Sequence, residues 1–134
     1  MKKMLVAVSG GVDSVVLLDF LVEKFRKEKG EAWTQKNLIV AHFEHGIRGK
    51  ESKQDLKFAE ELAAKYDVKF EFESGNLGEK ASEEMARNAR YAFLRKIAKH
   101  EKAIIFTAHH KNDLAETFAL NLARGGGWRA VAWF

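Results

Sequence analysis

The chain has 134 residues, enough for one domain with its own core and too few for a second lobe. It is 46% hydrophobic and 31% charged, and no apolar run approaches the roughly 20 residues of a spanning helix. Disordered, collagenous and membrane-spanning classes are therefore set aside. The absence of cysteine excludes disulfides, thiolate nucleophiles, iron–sulfur clusters and cysteine zinc sites, and leaves the cytoplasm as the expected compartment. The basic start at Met1, Lys2 and Lys3 is followed by too few apolar residues for a secretory signal. With 23 basic and 19 acidic residues the net charge is +4, which suits a nucleotide or nucleic-acid partner without requiring one.

The residues from Met4 to Val8 form a short continuous apolar run, the pattern of a fully buried strand. A helix is predicted from Val15 to Lys29, with Leu18, Leu21, Val22 and Phe25 inward and Gly30 beyond its end. A second buried strand follows at 38–42. The next helix is predicted from Ser52 to Tyr66, with Ser52 and Asp55 as a capping box and Leu56, Ala59, Leu62, Ala63 and Tyr66 as the inner stripe. Val68 to Phe72 alternates apolar and charged residues, which fits an edge strand. A third helix spans Ser82 to His100, with Met85, Ala89, Ala92, Phe93 and Ile97 inward. Residues 103–107 form another apolar strand, and a fourth helix is predicted over 112–124, burying Ala115, Phe118, Ala119 and Leu122. Strand–helix alternation through four units predicts an α/β fold with a parallel sheet between helical layers.

Ligands of open α/β sheets bind beyond the carboxyl ends of the strands, and here those ends collect polar residues. The first ends in Ser9-Gly10-Gly11-Val12-Asp13-Ser14. Its glycines permit close backbone approach, its serines supply hydroxyls, and the following helix start adds positive partial charge. Together these make a phosphate cradle. Neither the Walker A spacing nor GxGxxG is present. The second ends in His42-Phe43-Glu44-His45-Gly46-Ile47-Arg48, and the fourth in Thr107-Ala108-His109-His110 with Asp113 and Glu116 beyond. Asp113 and Glu116, three apart on the expected helix, share a face that suits a cation, whether an ammonium group or Mg²⁺. They read equally as a dipole-favouring residue and a salt-bridge partner, and His109 with Asp113 and Glu116 also has metal-site spacing. His42 and His45 read equally as ordinary loop histidines, and Arg87 and Arg90 as a solvated basic face.

SGGVDS after a first apolar strand resembles the pyrophosphate-loop motif of the N-type ATP pyrophosphatases, the PP-loop superfamily. Three more segments narrow the resemblance to the tRNA(Ile)-lysidine synthetase family. HFEHGIR at 42–48 is similar to HFNHGLR, RNARYAFL at 87–94 to its arginine–RYxFL helix, and TAHHKNDLAET at 107–117 to AHHxxDxxET. Arg124 and the glycines after it resemble RGTG. The resemblance implies an adenine nucleotide alpha-hydrolase-like, Rossmann-like α/β/α fold of about four strands. It also implies a two-step ligation. ATP adenylates the C2 oxygen of the wobble cytidine of isoleucine tRNA, and the lysine ε-amine then displaces AMP to give lysidine.

By that resemblance Ser9, Gly10, Gly11, Val12, Asp13 and Ser14, with His42 and His110, hold ATP, and Asp13 carries Mg²⁺. Asp113 and Glu116 hold the substrate lysine, and His109 joins Asp13, Asp113 and Glu116 among the catalytic groups. Arg48, Arg87, Arg90 and Arg124 contact tRNA or phosphate. The chain departs from the family at Glu44, where Asn is usual, and at Ala130 and Trp133, which replace glycines. Trp133 takes a glycine-only conformation at a cost. The family continues beyond position 134 with a fifth strand, so residues 1–134 are expected to be a truncated PP-loop ATP-binding domain. The apolar strand at 103–106 would then be an open sheet edge, and self-association or a homodimer through it is expected. Two other functions fit: an ATP- or AMP-binding fragment without catalysis, and another PP-loop adenylating enzyme acting on tRNA. Thiolation enzymes of that kind use cysteines, which are absent here.

Overall fold

The computed structural model describes residues 3–9, 11–44, 50–75, 82–109 and 129–133. In chain order the elements are β1 (Lys3–Ala7), α1 (Val12–Lys29), α2 (Glu31–Asn37), β2 (Leu38–Glu44), α3 (Lys50–Tyr66), β3 (Lys69–Ser74), α4 (Glu83–Glu101), β4 (Ala103–His109) and β5 (Arg129–Trp133). They build one sheet in the order β3-β2-β1-β4-β5. The first four strands run parallel, as the apolar runs predict.

Side chains of the central strands alternate between two faces, and both faces are covered. Met4, Val6 and Val8 pack with Leu17, Leu18 and Leu21 of α1 and with Ala59, Leu62 and Tyr66 of α3. Leu5, Ile39, Ala41 and Phe43 pack against Phe93, Leu94 and Ile97 of α4. This is the expected α/β/α arrangement. Each fully buried leucine contributes about 1.5–3 kcal/mol, so the central strands and α1 carry much of the stability. The Tyr66 hydroxyl donates to Asp19 Oδ1 at 2.8 Å and ties α3 to α1. Burial first, and then that hydrogen bond, push the phenol up to about 12.

Helix ends follow local chemistry. Gly30, at φ +94°, closes α1 and opens α2, a conformation that L side chains rarely adopt. Thr34 Oγ1 donates back to the Gly30 carbonyl at 2.8 Å. Ser82 caps α4 by accepting from the Met85 amide at 3.1 Å. At the other end Lys102 takes the left-handed conformation, and its amide donates to Ala98 O.

Several expectations change. α2 was not anticipated; its sequence, EAWTQKN, has no apolar periodicity. α3 begins before Ser52, so Ser52 lies inside the helix and is not its cap. β3 is the edge strand, as its alternation predicts. Its Phe72 nevertheless stays 55% exposed and stacks on Phe70 with centroids 5.8 Å apart. Met85 and Ala92 face solvent, and Leu94 takes the inward place, because the packed face of α4 is the Phe93–Leu94–Ile97 stripe. The helix predicted over 112–124 lies outside the described residues.

The largest correction concerns β4. From Ile105 to His109 its far side is not open: β5 pairs with it antiparallel, setting Ile105 opposite Trp133 and Thr107 opposite Val131. Residues 129–133 thus satisfy the backbone groups that an edge would have left free, which removes the ground for self-association there. Ala130 and Trp133 sit in extended strand backbone, so no glycine-only conformation is demanded of them.

Candidate functional site

The carboxyl ends of β2, β1 and β4 lie side by side in the sheet. A pocket opens there. Its floor is Val8 and Ser9 after β1, and its flanks are His42 to Glu44 of β2 and Thr107 and Ala108 of β4. Asp55 of α3 and Arg90 of α4 reach the same space.

The turn from β1 into α1 is organised by its two serines. Ser14, only 4% exposed, accepts from the Ser9 amide at 3.1 Å and donates to the Gly11 carbonyl at 3.0 Å. The Gly11 amide points to Ser9 Oγ at 3.3 Å. Gly11 stands at the N-cap of α1 in extended backbone, φ −80° and ψ 158°, and no side chain among the described residues caps the helix. The first-turn amides of an 18-residue helix are therefore presented toward the loop, where an anion would be favoured. A Cβ on Gly11 would meet nothing closer than Ser9 Oγ at 3.5 Å. What the missing side chain leaves is room for a ligand, since the backbone angle suits any residue. Asp13 is half-buried in the first turn of α1.

β2 contributes from the side. The buried His42 ring donates from Nδ1 to the Val8 carbonyl at 2.6 Å. Phe43 packs on Phe93 with centroids 5.8 Å apart and forms an apolar wall. Glu44 ends the strand, half-buried in the pocket rim, and its carbonyl accepts from the Gly75 amide at 2.7 Å. Arg90 lies over the Tyr91 ring, 5.3 Å from its centroid, which steadies the guanidinium at the pocket margin.

The structure thus brings together Ser9, Ser14, His42 and Arg90 among the predicted residues, with Gly11 and Asp13 at the adjoining helix start. Val12 is 76% exposed and does not line the pocket. Arg87 is exposed on α4, 5.9 Å from the Tyr91 centroid, and does not line the pocket. His109 is the last residue of β4, opposite Arg129. Gly10, His45, Arg48, His110, Asp113, Glu116 and Arg124 lie outside the described residues. Asp55 is the site residue that sequence reasoning misread, as a cap. Its spacing three after Ser52 predicts a capping box, whereas α3 already includes Ser52 and Asp55 lines the pocket. Among the described residues no three carboxylate or imidazole groups converge on a metal position. No helix among them is long and apolar enough to cross a membrane.

Comparison with known proteins agrees with this geometry. The family described as the PP-loop domain matches residues 1–133. The tRNA(Ile)-lysidine synthase of Thermosipho africanus (strain TCF52B) is 42% identical over 93% of this chain and 29% of its own length. The enzyme of that name from Bacillus cereus (strain ATCC 10987 / NRS 248) is 36% identical over 95% of the chain and 28% of its length. That of Geobacter sulfurreducens is 36% identical over 93% of the chain and 26% of its length. The chain therefore spans less than a third of the length of these curated relatives. No solved structure gives a significant match. With a pocket at the carboxyl ends of a parallel sheet and a match over nearly every residue, the chain belongs to the PP-loop domain family.

Proposed function

We propose that this chain is the ATP-binding, adenylating part of a tRNA(Ile)-lysidine synthase and acts in the cytoplasm. The observation that carries the reading is the identity of 36–42% to proteins of that name over 93–95% of the chain. In this reading ATP lies across the carboxyl edge of β1. The first-turn amides of α1 and the Ser9 and Ser14 region receive its phosphates. The tRNA cytidine oxygen attacks the α-phosphate, pyrophosphate leaves, and the lysine ε-amine then displaces AMP.

The residues fit Mg²⁺ as a partly hydrated ion. Mg²⁺ takes hard oxygen donors and commonly binds one or two carboxylates plus substrate phosphates rather than a protein cage. Asp13, half-buried beside the phosphate-facing helix start, supplies one such carboxylate. When bound, the ion offsets charge on the phosphates. Arg90 adds a fixed positive group at the pocket margin, while Glu44 opposes it and lowers affinity for a highly charged ligand. Asp113 and Glu116 hold the substrate lysine, His109 and His110 serve the adenylate pocket, and Arg48, Arg87 and Arg124 contact tRNA or phosphate.

A second reading is nucleotide binding without lysine transfer. One experiment separates the two. The chain is incubated with ATP, Mg²⁺, lysine and isoleucine tRNA, and the digested tRNA is examined by mass spectrometry. Lysidine supports the first reading. Nucleotide binding with unmodified cytidine leaves only the second.

A further inference from the structure

Val8 is the last residue before the phosphate-facing turn, and β2 holds both of its backbone groups. Its amide donates to the Ala41 carbonyl at 2.8 Å, and its carbonyl accepts from His42 Nδ1 at 2.6 Å. The next amide, that of Ser9, donates to Ser14 Oγ at 3.1 Å. The chain leaving β1 is thus pinned at three successive groups. Of these, the His42 contact alone joins the turn to β2 through a side chain, across 34 positions of sequence. His42 is 4% exposed, so its bond to the carbonyl is made away from water. Among the described residues His42 is the donor seen on that oxygen, and without it the turn would lose a bond that sets its direction.

We infer that His42 is a positioning residue: its Nδ1–H bond to the Val8 carbonyl sets the phosphate-binding turn in its anion-receiving geometry. This deepens the proposed function and rests on its nucleotide-binding half, not on lysidine formation. A carbonyl acceptor requires the proton on Nδ1, so in the neutral ring Nε2 is an acceptor. The neutral ring has no proton on Nε2 to give a phosphate oxygen, and in that form it acts on phosphate affinity through the turn.

Two isosteric variants test the inference, because an Asn amide imitates the reach of Nδ1 and a Gln amide that of Nε2. Binding of inorganic pyrophosphate and of ATP to the chain is measured by calorimetry for wild type, His42→Ala, His42→Asn and His42→Gln, with a melting curve for each. His42→Ala is expected to weaken both ligands about tenfold. His42→Asn is expected to restore most of that loss, and His42→Gln little of it. Restoration by Gln and not Asn, equal restoration by both, unchanged affinity in the Ala variant, or no binding by wild type would each overturn the inference. Should the Ala variant fail to fold, the Asn and Gln pair decides. The nitrogen-15 spectrum of the wild-type ring gives a reading free of any variant: a proton on Nδ1 is expected, and a neutral ring protonated on Nε2 overturns the inference. ATP binding that depends on His42 without lysidine formation leaves the inference standing and removes the proposed function.

Discussion

Gly75 lies against the Phe43 ring so closely that a Cβ built on it would fall 2.4 Å from Cζ. Phe43 cannot simply swing aside, because it is 7% exposed and packed on Phe93. The Gly75 amide is also bonded to the Glu44 carbonyl, which fixes the backbone next to the ring. Gly75→Ala is therefore expected to cost about 1–3 kcal/mol, read as a lower melting temperature. It should also weaken ATP binding, since Phe43 is a wall of the pocket. A melting temperature equal to wild type would show that the ring yields.

Ser14 joins two parts of the turn between β1 and α1 through one buried hydroxyl. Ser14→Ala leaves the Ser9 amide without its acceptor and is expected to cost about 1–3 kcal/mol. Pyrophosphate binding should fall more than stability alone would explain. Titration of Ser14→Ala under conditions where it is fully folded checks this. Ser14→Thr, which keeps the hydroxyl, should retain more affinity.

Lys102 ends α4 at φ 56°, a left-handed conformation that strains a residue with a side chain. Lys102→Gly is expected to stabilise the chain by about 0.5–1 kcal/mol, because relief of strain outweighs the added freedom of the unfolded chain. Denaturant unfolding at neutral pH measures it. The site is at the amino end of the sheet, so nucleotide binding should not change.

Glu101, whose side chain is 8% exposed, accepts from Lys69 of β3 and from Lys3 of β1, the latter at 3.0 Å. The Lys69 bond first, and then the Lys3 bond, drive its carboxyl down from the ordinary 4.5 to about 2. A carboxyl lowered on folding stabilises the folded chain fully above its unfolded value. That contribution is lost as pH falls from about 4.5 toward 2. Both lysines are well exposed, which limits the contribution to about 1–2 kcal/mol. Glu101→Gln should lower stability by that amount at pH 7 and flatten the acid limb of the stability curve. An acid limb as steep in the variant as in wild type would assign it to other groups.

The parallel sheet was legible in its apolar runs, because strands covered on both faces must be apolar throughout. The edge position of β3 was legible in its Lys69 and Glu71. The start of α1 after the glycines was legible from local residue types. What escaped depended on long-range contact. β5 read as a tail, since only its pairing with β4 shows that Arg129–Trp133 has a strand's role. Asp55 read as a cap because sequence places α3 two residues late. The bond from His42 to Val8 has no local signature at all. α2 lacks apolar periodicity and is held by Gly30, Thr34 and its junction with α1.

The activity proposed for the chain is adenylation of tRNA by ATP bound at the carboxyl edge of β1. Its most direct measurement supplies ATP labelled at the α-phosphate, Mg²⁺ and isoleucine tRNA, and withholds lysine. The account predicts label on the tRNA, released as AMP when lysine is added. ATP bound by the chain with no label reaching tRNA would contradict it.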